Sequence, residues 1–132
     1  MLVINPGRVQ WGAIVLDNVT RVSVDRFARR SVVEWSDDGR FPTFADVPEQ
    51  RVEINITQEL TREELSGPKP GDSATLVVHT SPAASDAQRK KLTVNAVVLG
   101  VTHQVSANGF ASRRMRLVAV AAEGSVDPVS VG

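Results

Sequence analysis

The sequence predicts a mainly β fold, an antiparallel β-sandwich or partly closed barrel with one or two short helices, and three observations carry that expectation. Between Gln50 and Leu60, Val52, Ile54 and Ile56 alternate with Glu53, Asn55 and Thr57, the period of a strand with one dry and one wet face. Roughly six or seven β-branched segments of this kind are separated by turn residues, the spacing of a sandwich or barrel. The 132 residues are 42% hydrophobic and lack cysteine. That is a single domain, 1–132, held by packing or by neighbouring subunits and not by disulfides.

In chain order, Trp11, Ile14, Val15 and Leu16 precede Asp17-Asn18, with Val22 and Val24 beyond, which predicts a hairpin bent at Asp17-Asn18. A strand over 29–35, with Val32, Val33 and Trp35, stops at the turn cluster Ser36-Asp37-Asp38-Gly39. Residues 36–48 read as an irregular loop. Its Phe41 and Phe44 either tuck into the chain's own core or are offered to a partner.

The strand at 50–60 is central, its wet face acidic and amide-rich. Directly after it, Thr61-Arg62-Glu63-Glu64 has the form of a capping box, opening a short helix that Gly67-Pro68 stops. Residues 84–91 are the other candidate helix. Ser73 to Thr80 reads as a buried strand and Ser81 to Asp86 as a loop. Leu92 to Val105 is the longest β stretch, with Gly100 marking a bulge. Asn108-Gly109 supplies a hairpin turn, and Ser112 to Ala122 returns with Met115, Leu117, Ala119 and Ala121 inward and Arg114 and Arg116 facing away. Residues 123–132 are left as a C-terminal arm of small residues.

Net charge is zero, but the signs are segregated. Residues 1–30 carry five Arg against two Asp, 34–66 nine acids against three Arg, and 69–116 return to a balance of +5. Such blocks form either an ordinary mixed surface or self-complementary surfaces that join copies of the chain. Twelve of the fifteen cations are Arg, the side chain suited to bidentate pairing with carboxylates at interfaces.

No cluster reads as an active site, so an enzyme is not expected. His79 and His103 have no partner at ligand spacing, Asp37-Asp38-Gly39 lacks the alternating oxygens of a calcium loop, and phosphate cradles and nucleophile elbows are absent. No cofactor or metal is expected. The near absence of aromatics beside the basic residues argues against sequence-specific nucleic-acid binding. Residues 1–7 lack a basic leader and their apolar run is too short for a membrane anchor, so synthesis in the cytoplasm is expected.

The early hairpin, Ser36-Asp37-Asp38-Gly39 before the Phe-containing loop, Val47-Pro48-Glu49-Gln50-Arg51-Val52, Pro70-Gly71-Asp72, and the close from Val118 to Val129 together resemble small tail tube proteins of long-tailed bacteriophages and related gene transfer agents. The likeness covers most of the chain. It implies a structural virion protein of the tail, made in the host cytoplasm, whose hexameric rings stack into a hollow tube beside other tail proteins and conduct DNA without sequence-specific binding. On that reading Glu53, Asn55, Thr57 and Glu59 face the lumen as an acidic wall that repels phosphate, and Asp37, Asp38, Phe41, Phe44, Arg113 and Arg114 make the subunit or ring contacts. The alternative function is a small carbohydrate- or peptide-binding β-sandwich whose Phe41 and Phe44 loop holds the ligand.

Overall fold

The computed structural model describes residues 2–4, 8–60, 67–80, 90–107 and 111–132, with side chains from Arg8 onward. Among these residues the chain forms nine strands: β1 (Leu2–Ile4), β2 (Arg8–Trp11), β3 (Ile14–Leu16), β4 (Val19–Trp35), β5 (Pro42–Leu60), β6 (Ser73–His79), β7 (Lys91–Val105), β8 (Ala111–Ala119) and β9 (Val129–Val131). Every ladder is antiparallel. The fold is therefore mainly β, one open antiparallel sheet in the order β1-β4-β5-β8-β7-β6-β2-β3, with β9 added to β7. No helix among the described residues is long and apolar enough to cross a membrane.

Alternation decides which face is dry. Val22 and Val24 of β4, Val52, Ile54 and Ile56 of β5, Leu76 and Val78 of β6, Leu92, Val94, Ala96 and Val98 of β7, and Met115 and Leu117 of β8 are all buried in one cluster with Val9, Trp11 and Leu16. A flat sheet cannot gather its strands around a single core, so this one rolls up on itself as a sandwich or partly closed barrel. The roll is bridged by the chain itself, because β3, the last strand in the order, runs through Asp17-Asn18 straight into β4, which stands next to β1 at the other end. Asn18 takes the left-handed conformation, φ 55°, which Asn tolerates better than most residues. Its carbonyl accepts from the Glu59 amide at 3.0 Å, and the Asp17 carbonyl accepts from Gln58 Nε2 at 2.7 Å.

Asp17-Asn18 is thus a corner and not the expected hairpin bend. The hairpin turns at Gly12-Ala13, between β2 and β3, where Trp11 pairs with Ile14. Gly12 has φ +59°, its amide donates to the Thr75 carbonyl at 2.9 Å, and a Cβ there would come 3.3 Å from that of Ala74. Left-handed backbone and close approach both call for glycine.

A larger correction concerns 36–48. The expected irregular loop is confined to the turn at Ser36–Phe41, and from Pro42 the chain is β5, which pairs with β4 down its whole length from Trp35↔Pro42 to Val19↔Gln58. Bulges interrupt the ladder near Ala28, Arg30 and Glu34. Those interruptions, with Pro42 and Pro48, erase the period that would have marked the strand.

The Gly100 bulge is present as a register shift between Val98 and Gly100. β7 and β8 pair as far as Val105↔Ala111, while the Asn108-Gly109 turn itself, the capping box with its helix at 61–66, and residues 84–89 of the second candidate helix lie outside the described residues. Lys91, assigned to that second helix, opens β7. The C-terminal residues are more than an arm: β9 pairs with Leu92–Val94 on the edge of β7 that β8 occupies further along. Val129 packs against the core.

Candidate assembly surfaces

Beyond Val24 and Val52 the β4–β5 hairpin leaves the body as a two-stranded arm. Its residues from Arg26 to Pro48 are exposed apart from Val32, which is half-buried. Trp35 at 60%, Phe41 at 76% and Phe44 at 52% exposure head an apolar set that includes Phe27, Val33 and Val47. Apolar side chains concentrated on one projecting element mark an interaction site, in contrast to single ones scattered over a surface. Phe41 and Phe44 do not tuck into their own core. Asp37 and Asp38 sit in the turn at the tip, also exposed.

The wet face of the body is built by register. Asp25, Glu53 and Val118 stand in one row across β4, β5 and β8; Ser23, Asn55 and Arg116 in the next; Arg21, Thr57 and Arg114 in the third. The expectation that Glu53, Asn55, Thr57 and Glu59 share a face is consistent with this register, but the acidic character is not there. Glu53 is only 8% exposed. It accepts from Arg116 Nε and, at 3.3 Å, from Arg116 Nη2, and Arg51 Nε stands 3.5 Å from its second oxygen. The hydrogen bond from Arg116 to the Glu53 carboxylate, and the charge of that carboxylate, raise the Arg116 pKa above the ordinary arginine value. With Arg21 and Arg114 on the same rows, guanidinia outnumber carboxylates. Neighbouring strands supply that charge, and β5 read alone could not reveal it.

Arg113 is a further correction. Expected at a subunit contact beside Arg114, it is 5% exposed and turned inward, because β8 alternates Ala111, Arg113, Met115 and Leu117 toward the core. Its Nε and Nη2 donate to Gln58 Oε1 at 3.2 and 2.6 Å, and Gly67 lies against its guanidinium. Toward the other end of β5, a recess of about 470 Å³ lies between the root of the arm (Arg26, Gln50) and the tail (Ser125, Asp127). The Asp127 carboxylate accepts from Arg26 there.

His103 is exposed and His79 half-buried at the end of β6. Among the described residues no three His, Cys, Asp or Glu side chains are grouped to hold a metal ion.

No protein-family model matches the chain, and none of the curated proteins does.

Proposed function

We propose that the chain is a structural assembly protein of a virion tail, whose copies join into hexameric rings that stack as a hollow tube for the passage of DNA. The observation that carries this reading is the projecting arm, whose Trp35, Phe41 and Phe44 each keep more than half of their surface exposed. An element of that kind is covered when a second molecule arrives, and a projection from one side of a subunit onto a different surface of the next generates rings or filaments. Segregated charge and a wet face rich in arginine support contacts between copies. The rationale for a phosphate-repelling channel wall at Glu53, Asn55, Thr57 and Glu59 falls away on a face whose cations are in excess, so that face is assigned to protein contacts.

Electron microscopy and light scattering at raised concentration test the reading. Rings or tubes are expected from the wild-type chain, and Trp35→Ser with Phe44→Ser should abolish them while leaving the melting temperature unchanged, since neither side chain is in the core. A strictly monomeric protein, even beside its cognate tail proteins, would overturn it.

A further inference from the structure

We propose that the tip of the arm of one copy docks, through the carboxylates of Asp37 and Asp38, into the recess between Arg21 and Arg114 on the body of a second copy. The inference rests on the assembly reading above and names its contact. Arg21 and Arg114 flank Thr57 in the register, one on each neighbouring strand, so their Cα atoms stand about 10 Å apart. With Ser23 and Asn55 they line a recess of about 260 Å³. Among the described residues neither guanidinium has a carboxylate within 4 Å, whereas the adjacent Arg116 is occupied by Glu53. Two like charges held on either side of one residue, with hydroxyl and amide groups between, form a receptor for oxyanions, and the planar fork of arginine matches carboxylates in particular.

The complementary set is on the tip. Asp37 and Asp38 are exposed there, and neither has a basic side chain within 4 Å among the described residues. Trp35 and Phe41 flank them, and apolar surface around a charged contact excludes water and strengthens it. The tip cannot reach the recess of its own chain. At about 3.3 Å per residue, β4 carries Asp37 roughly 50 Å from Arg21, and the ladder with β5 is maintained to Trp35↔Pro42. The contact is therefore between copies, and it joins unlike surfaces, so each copy can receive the next, in a ring where the rotation closes and in a stack where it does not. A phosphate would satisfy the same two arginines, but the chain carries its own exposed and unpaired acids at the end of an apolar arm.

Charge reversal on the full chain, followed by sedimentation velocity, tests this. Asp37→Arg with Asp38→Arg, and separately Arg21→Glu with Arg114→Glu, should each weaken self-association about tenfold or more, with an unchanged near-ultraviolet dichroism spectrum. Mixed in equal amounts, the two variants should regain assembly with the two kinds of subunit alternating, and one chain carrying all four reversals should regain it alone. Raised salt should weaken the wild-type contact. Reversed variants that assemble like the wild type would overturn the docking contact while leaving the assembly reading intact. A wild-type chain that stays monomeric at every concentration and beside its cognate tail proteins would overturn both. Should a short DNA duplex bind the wild type, lose binding on Arg21→Glu with Arg114→Glu, and leave assembly of the tip variant normal, the recess serves phosphate and the proposal falls.

Discussion

Asp127 fastens the C-terminal strand to the root of the arm: its Oδ1 accepts from Arg26 Nη1 at 3.2 Å and from the Val129 amide at 3.0 Å. The hydrogen bond from Val129, followed by that from Arg26, holds the Asp127 carboxyl below the ordinary carboxylate range. A carboxylate whose pKa falls on folding contributes stability above its unfolded value, and that contribution disappears as pH drops through the folded value. Both side chains are half-exposed, so the effect is small, on the order of 0.5 kcal/mol. Asp127→Asn should therefore lower the urea midpoint slightly near neutral pH, and the gap from wild type should close as pH falls through and below the ordinary carboxylate range. A gap of constant size across that range would show that the ionised form is not what matters.

On the buried face of the sheet, Gln58 bridges Arg113 to the Asp17 carbonyl, and so connects β8 with the corner that joins β3 to β4. Gln58→Leu removes a buried acceptor from a guanidinium and a donor from a carbonyl. A loss of about 1–3 kcal/mol is expected in chemical denaturation. Gly67→Ala should destabilise comparably, because its methyl group would meet the same guanidinium.

Glu53 and Glu59 alternate on one face yet should respond very differently to reversal. Glu53→Lys buries a third cation beside Arg51 and Arg116, with an expected loss of about 2–4 kcal/mol. Glu59 is exposed, and Glu59→Lys should stay within about 0.5 kcal/mol of wild type. Thermal unfolding of the two variants side by side decides it, and equal effects would place Glu53 in solvent.

Ile54 and Leu117 face each other across β5 and β8, both fully buried. Either residue replaced by alanine should cost about 3 kcal/mol. Since they share one contact, the double variant should lose less than the sum of the single losses, measured by denaturant titration.

The body of the fold was legible because burial imposes a period. Val52, Ile54 and Ile56, the run from Leu92 to Val98, and Met115 with Leu117 each announce a dry face that the structure buries. The arm was not legible because, among the described residues, neither of its faces is buried: Val32 alone from Arg26 to Pro48 is even half-covered. With no dry side to keep, 36–48 carries no alternation, and a strand there looks like a loop. Arg113 is obscure for the opposite reason: two residues before Met115, its place in the period points inward, while its charge argues for the surface. Arg116 and Arg21 were missed as neighbours of Glu53 and Thr57 because cross-strand register is a long-range property that no local stretch states. The corner at Asp17-Asn18 shows the same limit, since a turn signal marks a change of direction without saying which strands meet across it.

A two-stranded ribbon is at the margin of independent stability in water, and among the described residues no third strand pairs with the arm beyond Val24, where β1 ends its contact with β4. Its order is borrowed from the body. Amide exchange should therefore be slow at Val24↔Ile54 and quicken toward Trp35↔Pro42, with a step at the bulges near Ala28 and Arg30. In the proposed assembly, an arm that stiffens only on docking would make each single joint weak, because ordering it consumes part of the contact energy. Many weak joints along one assembly still hold through avidity, and they let a misplaced subunit leave before the next locks it in.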